Sequence, residues 1–203
     1  MRVQVHDVGH GLCVSLVHDN GNVMLWDCGH TNENRPSVFL PTAGINRIDR
    51  FFVTNYDEDH ISDLHYLRQN LNIQILHRNR TISREQLHAL KLQSGPISTA
   101  MTSLLEMIGR FTAGVSSPTP EFPDVRYTVF HNTYQVDFND TNNISLVTFL
   151  DCNGVTFIIP GDVETAGWQK LLENDAFRNE LRGVDIFIAS HHGSDLPPAS
   201  GPV

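Results

Sequence analysis

Residues 53–64 read VTNYDEDHISDL. An apolar run, Phe51-Phe52-Val53, stops, and Asp57, Glu58, Asp59 and His60 follow almost at once. Apolar residues at helical spacing come next, in HISDLHYLRQNL. The pattern predicts a short buried strand, a polar loop and a helix over residues 60–71. Acids at a helix start suit the macrodipole, yet three carboxylates crowded at a strand end repel one another. A chain that holds them together gains something in return.

The same arrangement recurs. VTFIIPGD ends an apolar run at Asp162, and VDIFIAS, read as a buried strand, leads into His191 and His192. In layered α/β folds the strand ends gather at one rim, where sites are built. Carboxylate oxygens and imidazole nitrogens converging there suit a divalent cation, which offsets the repulsion of the acids. The candidate metal ligands at these strand ends are Asn55, Asp57, Asp59, His60, Asp162 and the pair His191-His192.

The rest of the chain supplies the frame. Asn20-Gly21 and Asn153-Gly154 each lie between β-rich runs and predict hairpins, since both residue types tolerate positive φ. SREQLHALKL, ISTAMTSLLEMIGRF and ETAGWQKLLENDAFRNEL read as helices. Two strand-rich, helix-bearing halves predict two sheets packed face to face with helices outside. The expectation is one domain over residues 1–203.

The 203 residues carry a net charge of -9, which argues against a general duplex-binding surface. Cys13, Cys28 and Cys152 lack C-x-x-C spacing and read as buried thiols. With no apolar run long enough to span a bilayer and no signal-like N-terminus, a cytoplasmic location is expected.

TNYDEDHISDL resembles the T-H-x-H-x-D-H signature of the metallo-β-lactamase fold hydrolases. IIPGDVE resembles that family's Gly-Asp turn, and ASHHGSD its late histidine motif. VHDVGHGLCVSL, VMLWDCG and NDTNNISLVTFL are similar to segments of its ComEC-like branch, which includes the soluble part of a DNA-uptake channel.

The resemblance implies an α+β fold, a four-layer αββα sandwich of two mixed sheets, and one or two divalent ions. Zinc comes first among these, with manganese or magnesium favoured by oxygen-rich ligands. Asp59 and His60 match the pair that binds the second metal, Asp162 the bridging carboxylate and His192 the late ligand. Asp59 and His191 are the implied catalytic residues, and Asp27 is expected to brace the metal loop by hydrogen bonds.

Two departures stand out. Asn55 occupies the place of the first histidine, and Asp140, Asn143 and His131 are the substitutes for the middle one. The chain also stops soon after the late motif, where family members continue with a further strand and helix, so a fragment or a short sheet is expected. The implied function is metal-dependent hydrolysis, with a phosphodiester of a nucleic acid or nucleotide as substrate. The alternatives are a degenerate, non-catalytic interaction module and a hydrolase of a lactone, thioester or β-lactam.

Overall fold

Asn153 (φ 54) and Gly154 (φ 86) form a two-residue turn between strands paired Cys152 to Val155, the conformation their types favour. Around Gly21 (φ 85) the first hairpin has a wider loop, residues 18–22, closed where Val17 pairs with Val23.

The computed structural model describes residues 1–115 and 117–190. Its strands are β1 (Arg2–Val5), β2 (Val14–Val17), β3 (Val23–Trp26), β4 (Arg47–Ile48), β5 (Arg50–Phe52), β6 (Asn72–Ile73), β7 (Leu76–His77), β8 (Val125–Phe130), β9 (Val147–Cys152), β10 (Val155–Ile159) and β11 (Ile186–Phe187). Its helices are α1 (Pro36–Thr42), α2 (Glu58–Ile61), α3 (Leu64–Asn70), α4 (Arg84–Leu92), α5 (Thr99–Arg110), α6 (Thr165–Leu171) and α7 (Asp175–Leu181).

One sheet runs β1-β2-β3-β5-β7 and the other β11-β10-β9-β8, with β4 and β6 as a separate parallel pair. Both larger sheets mix antiparallel and parallel pairings, the parallel ones being β3-β5 and β5-β7 in the first and β10-β11 in the second. Between them lies an apolar layer in which Val14, Leu16, Trp26 and Phe52 meet Leu146, Leu150 and Ile159. The Trp26 and Phe52 rings stack at 4.7 Å, and each fully buried aromatic contributes about 2–3 kcal/mol. Across the layer Trp26 Nε1 donates to Thr148 Oγ1 at 3.2 Å.

On the outer face of the first sheet, Leu64, Leu67, Leu87, Leu104 and Ile108 close a second core. Phe177 and Leu171 cover the other sheet. The result is helix, sheet, sheet, helix. α5, with Ser98 accepting from Met101 N at its start, is a core helix, burying Met101, Leu104, Leu105, Met107 and Ile108.

Four segments depart from the sequence-based reading. The expected helix over 60–71 is two, α2 and α3, broken at Ser62-Asp63. Asp63 serves tertiary partners there: its N donates to Cys28 O (3.0 Å), and its carboxylate accepts from Ser37 N (2.7 Å) and Arg35 Nε (3.2 Å). Residues 164–181 also form two helices, because Asn174 Oδ1 accepts from Ala176 N and starts α7 afresh. IQILH contributes two short strands, β6 and β7. VDIFIAS yields only β11, whose Ile186 and Phe187 lie exposed at a sheet edge.

Candidate metal centre

β5 is an inner strand of the first sheet, between β3 and β7, and Val53 to His60 emerge at its rim. β10 delivers Pro160-Gly161-Asp162 to the same place from the second sheet. The rim is stitched across the two layers by Leu146 N donating to Thr54 O at 2.7 Å. Gly161 is essential to this approach: its φ is +60, and a Cβ there would lie 2.9 Å from Thr54 Oγ1.

Asp59, His60 and Asp162 meet at this seam, their potential ligand atoms all within 4.8 Å of one another. His60 Nε2 lies 3.0 Å from Asp162 Oδ2. His60 and Asp162 are buried, whereas Asp59 is partly open to solvent. Two carboxylates and an imidazole are a donor set that fits a divalent metal.

The other ring nitrogen of His60 is fixed. Nδ1 lies 2.7 Å from Asp27 Oδ2, and both side chains are fully buried. Asp27 also accepts from Thr54 N at 2.7 Å and from Thr54 Oγ1. Asp27 holds a positive φ of 56, which turns the chain sharply after β3. Burial disfavours a charged imidazole, but Asp27 and then Asp162 outweigh it and push His60 up to about 10. Burial raises the Asp27 carboxyl, against the pull of His60 and Thr54.

The backbone of the loop is cradled by glycines. A Cβ on Gly11 or on Gly29 would lie 2.3 Å from the Asp59 carbonyl oxygen. Gly11 also has φ +126. Cys28 N donates to His60 O at 2.8 Å, which straps the loop to the end of β3.

A family model for the metallo-beta-lactamase superfamily matches residues 7–194. The chain belongs to the metallo-beta-lactamase superfamily. Among characterised proteins it is similar to ComE operon protein 3 of Bacillus subtilis (strain 168), 25% identical over 216 aligned residues. That alignment takes in 95% of this chain and 25% of the relative, so the chain spans about a quarter of the relative's length.

Solved structures similar to it include a Thermotoga maritima protein classed as a metallo-beta-lactamase, at 16% identity and TM-score 0.47, covering 84% of this chain and 79% of that one. Another is CmlA, a diiron beta-hydroxylase from Streptomyces venezuelae, at 15% identity and TM-score 0.44, covering 85% and 32%. These likenesses are too distant for either activity to be carried across.

Within this superfamily fold, the remaining candidates have other partners. Asn55 is fully buried, but its amide donates to Asn142 Oδ1 (2.9 Å) and Ser145 Oγ (3.2 Å) and accepts from Asp57 N (2.7 Å). Asp57 Oδ1 accepts from Thr141 Oγ1 at 2.9 Å and pairs with Lys91 Nζ. Asp140 accepts from Asn143 N at 2.7 Å, and His131 Nδ1 lies 3.2 Å from Asn132 O. The structure therefore brings together Asp59, His60 and Asp162, with Asp27 bracing them as expected. It gives Asn55, Asp57, Asp140, Asn143 and His131 to neighbouring hydrogen bonds.

His191 and His192 lie outside the described residues. Ser190 just before them donates to Val163 O at 2.6 Å, which sets the chain against the Asp162 turn. Lys91 has no sequence signal, and Thr54, Ser145 and Thr141, although they stand inside the quoted segments TNYDEDHISDL and NDTNNISLVTFL, act through partners distant in the chain that the segments do not reveal. Among the described residues, no helix is long and apolar enough to cross a membrane.

Proposed function

We propose that the chain is a metal-dependent hydrolase acting on a phosphodiester, with Asp59, His60 and Asp162 holding a divalent ion, zinc first and manganese or magnesium next. The observation that carries this reading is the meeting of three ligand atoms from two sheets within 4.8 Å. When bound, such an ion supplies electrophilic polarisation of a scissile ester and acidifies water beside it.

The chain's own residues do the rest. Asp27 holds the Nδ1 hydrogen of His60, which fixes the ring and directs Nε2 at the centre. Asp162 closes the inner side. Asp59, the member open to solvent, orients water and accepts its proton. His191 is proposed to contact the substrate, and His192 to complete the ligand set. The phosphodiester follows the resemblance to the ComEC-like branch, and a cationic centre suits an anionic ester.

Titration of Zn²⁺ and Mn²⁺ into chelator-treated protein, followed by turnover of bis(p-nitrophenyl) phosphate and of p-nitrophenyl acetate, tests this reading. Binding at micromolar or lower concentration and turnover of the diester are expected. Both should be lost in Asp162→Asn with the circular dichroism spectrum unchanged. Turnover in Asp162→Asn equal to wild type excludes the mechanism, and turnover of the acetate alone moves the substrate to uncharged esters.

A second reading, a non-catalytic module that keeps the sandwich, draws on the Asn55 amide, whose oxygen and nitrogen are both committed within the protein. Binding of every divalent ion only at millimolar concentration would favour it.

A further inference from the structure

The flank of the centre beside Asn55 is built from groups that could ligate a cation, yet it is closed by hydrogen bonds. Ser145 Oγ joins this flank to the centre, accepting from Asn55 Nδ2 and from Asp162 N, each at 3.2 Å. Asn142, the next partner of Asn55, donates to Glu164 Oε1 at 3.0 Å. Asp57 O accepts from His60 N at 3.1 Å, so Asp57 belongs to the same loop as the ligands. Its carboxylate is met from two other segments, by Thr141 and by Lys91 at the end of α4. The Lys91 side chain is only 17% exposed. A largely buried ammonium is costly unless paired, and α4, whose start is fixed by the capping box of Ser83 and Gln86, is held on the core by Leu87. Lys91 is thus delivered by a fixed helix to Asp57, a carboxylate of the same loop that lies outside the three-residue group.

We propose that the Lys91 ammonium stands in for a second cation, so that the centre takes one divalent ion beside a built-in positive charge. The inference rests on the proposed metal reading and adds its stoichiometry and the residue that sets it. A cation approaching Asp57 must displace Lys91 and compete with its charge at close range, and the neutral amides beside it offer too weak a ligation to offset that. With Lys91 neutral and apolar, Asp57 is left as an uncompensated carboxylate next to amide oxygens and becomes a ligand for a hard cation.

The test is the number of Mn²⁺ ions bound per chain of residues 1–203, by equilibrium dialysis and native mass spectrometry, with folding checked by circular dichroism. Wild type is expected to bind one. Lys91→Met is expected to bind a second, at least tenfold tighter than any second ion on wild type. Lys91→Arg should restore one, and Lys91→Met combined with Asp57→Asn should return to one, which assigns the added ion to Asp57. Two ions of comparable affinity on wild type, or still one on Lys91→Met, would overturn the inference and leave the metal reading standing. No ion on wild type would sink the metal reading itself, and this inference with it.

Discussion

His60 Nδ1 and Asp27 Oδ2 are 2.7 Å apart with neither side chain exposed to solvent. The pair links the end of β3 to the start of α2, so it is at once a support of the fold and a control on His60, the histidine of the centre among the described residues. Asp27→Asn keeps the shape, and asparagine tolerates the positive φ at this position. It replaces an acceptor by a donor facing His60 or Thr54. We expect about 2–4 kcal/mol lost in urea unfolding and Zn²⁺ affinity lowered about 10- to 100-fold by competition titration.

The close seat of the Asp59 carbonyl on Gly11 and Gly29 makes those glycines as demanding as ligands. Gly29→Ala and Gly11→Ala each force the metal loop outward, at about 2 kcal/mol or more, and should weaken metal binding as well. Gly183→Ala is the control. A Cβ there would meet Glu180 O at an ordinary 3.6 Å, so melting should be unchanged within about 0.5 kcal/mol. Equal effects at the three positions would refute the cradle.

His77 lies far from the centre in function but titrates distinctively. Burial, then Arg50 and Arg80, lower it to about 4. Its ring stacks on Phe52 at 4.3 Å, and Nε2 lies 3.4 Å from Tyr127 Oη. Above pH 6.5 it is neutral folded and unfolded and contributes no pH dependence. As pH falls from 6.5 to 4 the unfolded chain takes up the proton first, so stability declines across that window, by on the order of 2 kcal/mol. His77→Phe, which keeps the stack, should flatten this part of the stability–pH curve measured by denaturant unfolding.

Asn174 starts α7 by accepting from Ala176 N at 2.9 Å. Asn174→Ala should cost about 1 kcal/mol in thermal unfolding and leave metal binding untouched, since α7 packs on the far face of its sheet.

Much of this arrangement can be read from local sequence, and the reason is physical. Asn153-Gly154 dictates its turn by backbone sterics alone. Asp59, His60 and Asp162 announce themselves because polar groups follow apolar strands directly. The breaks at Asp63 and Asn174 escape the hydrophobic pattern, because a side chain there wins backbone groups from the helix through partners the pattern does not see. Asp57 reads as a ligand from its neighbours in sequence, and only α4, folded back from 34 residues later, shows that Lys91 holds it. The strand over Ile186–Phe187 reads as buried from its composition, yet an edge position exposes it.

The donors of the centre come from opposite sides of the sandwich, Asp59 and His60 from the loop beyond β5 and Asp162 from the turn beyond β10. An ion gripping all three would therefore act as a rivet through the two layers, resisting their sliding past each other. Stripping it should let the halves breathe independently, with amide exchange rising first along the seam at Thr54 and Leu146.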